Sequence, residues 1–205
     1  MTSSEWNPAK DSVNQPTSRI VSSDAESLIL VDADDRQTGR LSKAECHDGE
    51  GILHRAFSVF LFDVDGRLLI QKRASGKRLW PGFWSNTCCS HPRDGETLDV
   101  AVLRRLEDEL HANGELEFVY KFVYQANFED KGAEHELCHV FVGRLVNEPV
   151  ANETEIEELR FITAEQLDEE LSSTPEAFTP WFKMEWQKLK DDFSDRISEL
   201  VRGAR

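Results

Sequence analysis

The sequence is short of the residues that build a disulfide scaffold, a membrane span or a nucleic-acid surface. Its four cysteines, at 46, 88, 89 and 138, include an adjacent pair. That is not the evenly spread framework of a small stapled secreted domain, so reduced thiols are expected. No stretch approaches the roughly 18 uninterrupted apolar residues that a bilayer demands. The opening MTSSEWNPAKDSVNQ has neither the basic start nor the apolar core of a signal peptide. Positive charge is scarce: 24 Lys and Arg against 39 Asp and Glu give a formal net charge of −15. So negative a surface repels a phosphate backbone, which argues against a nucleic-acid partner. A soluble, cytoplasmic chain without a membrane span is expected.

What is there suits one domain: 205 residues, 39% of them hydrophobic, can bury a proper core. Residues 1–27 are polar, contain Pro8 and Pro16 and show no apolar period, so they read as a flexible arm ahead of a single domain over 28–205. Ser27 to Val31 and a return strand after Asp32–Arg40 predict one hairpin. Ala56 to Phe62, the turn Asp63-Val64-Asp65-Gly66 and Arg67 to Arg73 predict a second. Leu98, Val102, Leu106 and Leu110 recur every four positions, which predicts a helix between Glu96 and Leu110. Phe118 to Phe128, Glu136 to Leu145 and Ile156 to Phe161 are strand-like. Thr163 suits a helix cap, and Pro180 opens a last helix through about Val201. Strands and helices mix without strict alternation, so a mixed sheet flanked by helices is expected.

Three of the six histidines, His47, His54 and His91, fall close to acidic or thiol groups. Glu134-His135-Glu136 on a strand puts both carboxylates on one face. Imidazole with carboxylate oxygen suits Mg²⁺, Mn²⁺ or Zn²⁺, and three nitrogens with oxygen donors favour a six-coordinate ion. Spacing alone also allows Glu134 and Glu136 to be a solvated strand end. Cys88 and Cys89, as neighbours on a strand, point to opposite faces, so only one thiol can reach a pocket. Either can be a buried small hydrophobe, yet a thiol two residues from a metal-ligand candidate can also move a proton. Arg73, Lys77 and Arg78 form a basic cluster on an acidic chain, which fits a phosphate-bearing substrate as well as it fits a solvated loop.

Four segments, taken in order, carry a resemblance. They are His54-Arg55-Ala56-Phe57-Ser58, the block Trp80-Pro81-Gly82-Phe83-Trp84-Ser85-Asn86-Thr87-Cys88-Cys89-Ser90-His91-Pro92, Glu134-His135-Glu136, and Ala177-Phe178-Thr179-Pro180-Trp181. Together they resemble the type 1 isopentenyl-diphosphate isomerases of the Nudix superfamily, from about Leu28 to about Trp186. The resemblance implies a Nudix-like α/β/α sandwich around a mixed β-sheet, and interconversion of isopentenyl and dimethylallyl diphosphate. By matching position it implies that His47, His54, His91, Glu134 and Glu136 bind one divalent ion, Mg²⁺ or Mn²⁺ or alternatively Zn²⁺. It makes Cys89 the thiol acid/base, and Glu136 both ligand and second proton-transfer group, with Tyr124 close by. Glu109 would help hold a second Mg²⁺ that arrives with the substrate diphosphate. Lys43, Arg73, Lys77 and Arg105 would clamp that diphosphate, and Trp181 would close over the hydrocarbon.

The Nudix helix pattern R-E-U-x-E-E-x-G survives only as Arg104-Arg105-Leu106-Glu107-Asp108-Glu109-Leu110-His111. Arg105 takes the first Glu position, Asp108 another, and His111 the Gly. Those lost carboxylates weaken the alternative of a Nudix hydrolase acting on a nucleoside diphosphate derivative. The isomerase does not need them. A non-catalytic metal-binding scaffold is the third alternative, for which Cys89 would be irrelevant.

Overall fold

Residues 54–62, HRAFSVFLF, bury apolar side chains on both faces, and the sheet is hung on the strand they form. The computed structural model describes residues 18–202. This central strand, β3 (His54–Phe62), lies antiparallel to β1 (Ser27–Val31), whose hairpin partner is β2 (Gln37–Ser42). It is also antiparallel to β4 (Leu68–Arg73) and β6 (Cys88–Ser90). Strand β4 in turn pairs with β5 (Trp84–Ser85) and β9 (Ile156–Ile162). Along its whole length β3 runs parallel to β8 (Ala133–Leu145), which forms a long hairpin with β7 (Gly114–Asn127).

Alternation along β3 builds two cores. Ala56, Phe60 and Phe62 meet Val140 and Val142 under Leu167 of α3 (Ala164–Ser173) and Phe182, Trp186 and Leu189 of α4 (Pro180–Arg202). Phe57, Val59 and Leu61 face Ala101, Val102, Leu106 and Leu110 of α2 (Leu98–Leu110). Each large apolar side chain so buried contributes about 1.5–3 kcal/mol relative to exposure. The result is the expected α/β/α sandwich around a mixed sheet.

Several boundaries differ from the expectation. Helix α2 starts at Leu98, with Thr97 as its cap, and closes on His111 at φ 45°, whose N–H reaches the Glu107 carbonyl at 3.0 Å. A left-handed histidine thus takes the place of the usual glycine. Strand β8 begins at Ala133, ahead of the expected Glu136, and so includes Glu134 as the paired-carboxylate reading requires. A short helix, α1 (Lys43–Cys46), was not expected; it is set by a capping box in which Ser42 Oγ accepts from Glu45 N and Glu45 Oε2 from Ser42 N.

Of the arm expected over 1–27, residues 1–17 lie outside the described residues. Residues 19–26 run along the body: the Val21 carbonyl accepts from Arg105 Nη1 at 2.7 Å and that of Arg19 from Asn152 Nδ2 at 2.8 Å. Side chains of the body satisfy main-chain groups of this segment, so it needs no apolar period of its own.

One acid breaks the apolar stripe of α4. Glu185 is fully buried, its Oε1 accepts from the Cys138 thiol at 3.5 Å, and Oε2 has no hydrogen-bond partner. Burial pushes its pKa up to about 8 against the bonds from Ser58 and Cys138. The folded state therefore holds a proton that the unfolded chain releases near pH 4.5, so its contribution to stability is lost as pH rises from there through about 8. The melting-temperature advantage of Glu185→Gln over the wild type should widen between pH 5 and pH 8. A constant difference across paired thermal melts would show that this carboxyl does not titrate there.

Candidate active site

The strand register brings the candidate ligands together. His54, the first residue of β3, is paired directly with Glu136 on β8, and Glu136 with Tyr124 on β7, so three side chains form one row across three strands. His47 follows α1 and His91 follows β6. Ligand atoms of His47, His54, His91, Glu134 and Glu136 all lie within 4.8 Å of one another, and none of the five residues is exposed. His47 Nδ1 meets the Lys43 carbonyl at 2.6 Å and His54 Nδ1 that of Ile52 at 2.7 Å. Donation from Nδ1 leaves each Nε2 lone pair directed into the cluster, as a metal ligand requires.

The cluster's electrostatics fit a cation. His54 Nε2 and Glu134 Oε2 are buried without a hydrogen-bond partner, although Oε2 lies 2.8 Å from His47 Nε2. Burial, reinforced by His47, drops His54 to about 4, and burial with the other two rings holds His91 well below its ordinary range. Both are neutral imidazoles at pH 7. Burial would raise Glu134, but the charge on His47 brings it down to about 2; burial would lower His47, and Glu134 raises it instead. Glu136 is pushed well above the carboxylate range by burial and by Glu134, despite a 2.6 Å hydrogen bond from the Tyr124 hydroxyl. His91 Nε2 lies 2.9 Å from its Oε1. Two buried carboxyls beside an imidazole lone pair without a partner are the arrangement that a divalent ion would relieve.

A cavity of about 310 Å³ opens beside this cluster and is lined by Cys89, Tyr124, Glu136 and Trp181, and by Lys43, Arg73, Lys77 and Arg105. Cys88 is fully buried in the core under α2, whereas Cys89 reaches the cavity. Burial pushes the Cys89 thiol up to about 12 even with Arg73 near it, so it is protonated. Trp181 is 2% exposed, and its Nε1 donates to Ser85 Oγ at 3.1 Å and to Asn86 Oδ1 at 3.3 Å, which fixes the ring. The Arg73 guanidinium carbon sits 5.4 Å from the ring centroid, while its nitrogens hold the Trp80 and Leu79 carbonyls.

Not every candidate is free to act. Glu109 does not line the cavity, and its carboxylate is taken by Arg105 one helical turn back. The second-ion role that the resemblance gives Glu109 therefore meets a carboxylate already paired. Arg78 ties Asp48, at 2.5 Å, to the Lys131 carbonyl. Lys43 donates to Ser22 Oγ at 2.5 Å; burial and the neighbouring Lys77 lower its pKa. Glu155 was missed: this buried carboxylate lines the cavity and pairs with Lys77, with Arg105 Nη2 3.5 Å away. It sits in an acidic stretch, Glu153 to Glu158, where no period marks one carboxylate from another.

The sheet and its flanking helices match solved Nudix-type structures in fold. The protein DR0079 from Deinococcus radiodurans superposes with a TM-score of 0.62 at 20% identity, over 85% of this chain and 99% of that one. The NUDIX domain model matches residues 52–182. Nearer in sequence is an isopentenyl-diphosphate Delta-isomerase 1 of Photorhabdus laumondii subsp. laumondii, 42% identical over 174 residues, which are 84% of this chain and 99% of that relative. An isopentenyl-diphosphate Delta-isomerase of Serratia proteamaculans is 45% identical over 176 residues, 86% of this chain and 98% of that relative. The chain belongs to the NUDIX family and, within it, to the isopentenyl-diphosphate Delta-isomerases.

One glycine carries a test of the cluster. Gly132, at φ +136°, lies against the His47 backbone, and a Cβ there would collide with the His47 carbonyl, which also accepts from Ala133 N at 3.0 Å. Mn²⁺ should raise the melting temperature of the wild type in a concentration-dependent way. Gly132→Ala should weaken that response by displacing His47, and His54→Ala should abolish it. An equal shift in all three proteins would mean that the ion binds elsewhere.

Proposed function

We infer that this chain interconverts isopentenyl and dimethylallyl diphosphate by a 1,3-allylic proton transfer. The observation that carries the reading is one cavity lined by a protonated thiol, a carboxyl–phenol pair, an anchored indole and five Lys and Arg side chains, beside a buried His/Glu cluster. The names of the relatives in both Photorhabdus and Serratia support it.

In one direction the alkene's π electrons bond a proton at the terminal carbon, leaving a tertiary cation. A proton then leaves the methylene on the far side, and its bonding pair becomes the new double bond. Cys89 and the Glu136–Tyr124 pair are the two groups that give and take these protons. An unactivated alkene is a weak base, so transfer needs a dry, oriented site; burial of both groups supplies it. His47, His54, His91, Glu134 and Glu136 would hold a divalent ion, Mg²⁺ or Mn²⁺ or alternatively Zn²⁺, which would stabilise the Glu136 carboxylate and fix its direction. Lys43, Arg73, Lys77 and Arg105 hold the diphosphate. The indole of Trp181 faces the cation with negative potential and no lone pair to capture it, worth on the order of 2 kcal/mol when desolvated. The Arg73 guanidinium already stands by that ring.

A cytoplasmic location goes with this reading; all four cysteines are free, and among the described residues no helix is long and apolar enough to cross a membrane. The hydrolase alternative is disfavoured because Arg105, buried on α2, holds a position at which the hydrolase pattern has a glutamate.

Purified protein incubated with isopentenyl diphosphate and Mg²⁺ should yield the acid-labile allylic isomer. Release of phosphate or pyrophosphate instead would mean hydrolysis. Cys89→Ala should lose about 10²–10⁴-fold in turnover with the fold intact, while Cys88→Ala keeps most of it. Equal losses would make the pair a packing feature.

The indole gives a second test. Trp181→Phe should keep partial turnover, and Trp181→Leu should lose far more in kcat than in KM at unchanged melting temperature. If both variants mainly melt earlier, the ring is there for packing.

A further inference from the structure

Asn86 is fully buried and does not line the cavity, yet its amide is bonded to both sides of the reacting pocket. Oδ1 accepts from Trp181 Nε1 at 3.3 Å and from Ser85 Oγ at 2.9 Å. Nδ2 donates to the Cys88 carbonyl at 2.8 Å and to the Val59 carbonyl at 3.3 Å. The Cys88 carbonyl belongs to the peptide that carries Cys89, and Val59 stands opposite Cys88 in the β3–β6 ladder. One planar group thus holds the indole by its acceptor end and the thiol's peptide by its donor end.

The amide is not free to turn. Both lone pairs of Oδ1 and both N–H groups of Nδ2 are in use. Turned over, Asn86 would set N–H against the Trp181 N–H and oxygen against two carbonyls, leaving buried groups without partners. Ser85 Oγ gives its one proton to Asn86, so it meets the Trp181 N–H and the Thr179 hydroxyl, each at 3.1 Å, as an acceptor. Thr179 N in turn donates to the Trp84 carbonyl at 2.9 Å, which ties the residue ahead of α4 to β5. The edge-on contact of Trp181 with Trp80, 5.2 Å between centroids, leaves the indole free to rock in its own plane; the two bonds at Nε1 do not.

A buried asparagine can be no more than a peg for two strand carbonyls. That role needs Nδ2 alone, and it gives no reason for Oδ1 to reach Trp181, the one described residue of α4 in the cavity wall. In the isomerisation the proton arrives at one carbon while the positive charge forms on its neighbour. The thiol and the indole must therefore hold a fixed separation, and a slip of about 1 Å can cost on the order of 10²-fold in rate.

We propose that Asn86 is a positioning residue, which sets the Cys89 thiol and the Trp181 indole against each other through its one amide. The proposal rests on the isomerase reading for the reaction and adds the residue that keeps its two sides in register.

The test is a double-mutant cycle read by kcat and KM for isopentenyl diphosphate, with the indole N–H resonances of ¹⁵N-labelled protein beside it. Asn86→Ala should lose on the order of 10²-fold in kcat with KM nearly unchanged, because Asn86 bonds none of the cations that hold the diphosphate. The Trp181 indole resonance, identified by its loss in Trp181→Phe, should move in Asn86→Ala while those of the other tryptophans hold. Ser85→Ala leaves both Nδ2 bonds in place, so in the Trp181→Phe background it should cost nothing more. Asn86→Ala in that background should still cost about tenfold through the thiol side. Losses that simply multiply across the cycle, or a resonance that stays where it was, mean that Asn86 is packing and overturn the proposal. An Asn86→Ala that costs nothing once the indole is gone also overturns it, because the thiol is then held by something else. Rates are taken per folded molecule, and if Asn86→Ala does not fold, Asn86→Ser, too short to bridge both sides, replaces it in every arm. In a wild type that forms no isomer the isomerase reading fails and the indole resonance alone decides the positioning, whereas isomer formed with losses that multiply sinks the positioning alone.

Discussion

The parallel pairing of β3 with β8 sets His54 opposite Glu136, and the antiparallel pairing of β8 with β7 sets Glu136 opposite Tyr124. Since side chains alternate across a strand, a slip of one residue in either ladder would turn the carboxyls to the other face and dissolve the site. The register itself is held by the two cores, because Phe57 and Phe60 on alternate faces of β3 commit it to α2 on one side and to α4 on the other. Chemistry at the strand ends is thus held in place by apolar packing along the strand bodies.

Burial then does opposite things to neighbouring groups. It keeps His54 and His91 neutral and the Cys89 thiol protonated, and it pushes Glu136 well above the usual carboxylate range. A few side chains away the same low-dielectric surroundings strengthen the pairing of Arg105 with Glu109 and of Lys77 with Glu155. The cavity wall therefore combines groups poised to exchange protons with groups locked into charge pairs. That separation keeps the shifted groups and the charge pairs apart within one small site.

The sequence disclosed the fold where a period or a turn signal was strong. Asp63 to Gly66 marked the turn from β3 to β4, although the two strands share only the Phe62–Leu68 pair rather than the expected hairpin, and Leu98, Val102, Leu106 and Leu110 marked α2. The sandwich and the enzyme class followed from the block around Cys89 rather than from any period. Helix α1 was readable in Ser42-Lys43-Ala44-Glu45, whose first and last residues form its capping box, but four residues carry no amphipathic pattern. The course of residues 19–26 along the body left no apolar trace because the contacts at Arg19 and Val21 are made by backbone carbonyls. Glu155 was hidden among other acids, and only the tertiary approach of Lys77 and Arg105 distinguishes it. Glu185 was more accessible to reading, since an acid one turn beyond Trp181, beside Phe182 and Trp186, stands on the inward stripe of its helix.

Helix α4 begins with Trp181 in the cavity wall and ends near Val201, which lies beside Gly66 in the turn at the far end of β3. At 1.5 Å per residue its 23 residues span about 34 Å. The described chain starts at the opposite pole, where Ile20 and Ser22 form part of the cavity rim. A surface tether or fluorophore attached near Val201 would leave the mouth of the enzyme clear, whereas one placed at Ile20 would sit in the doorway and report each arrival.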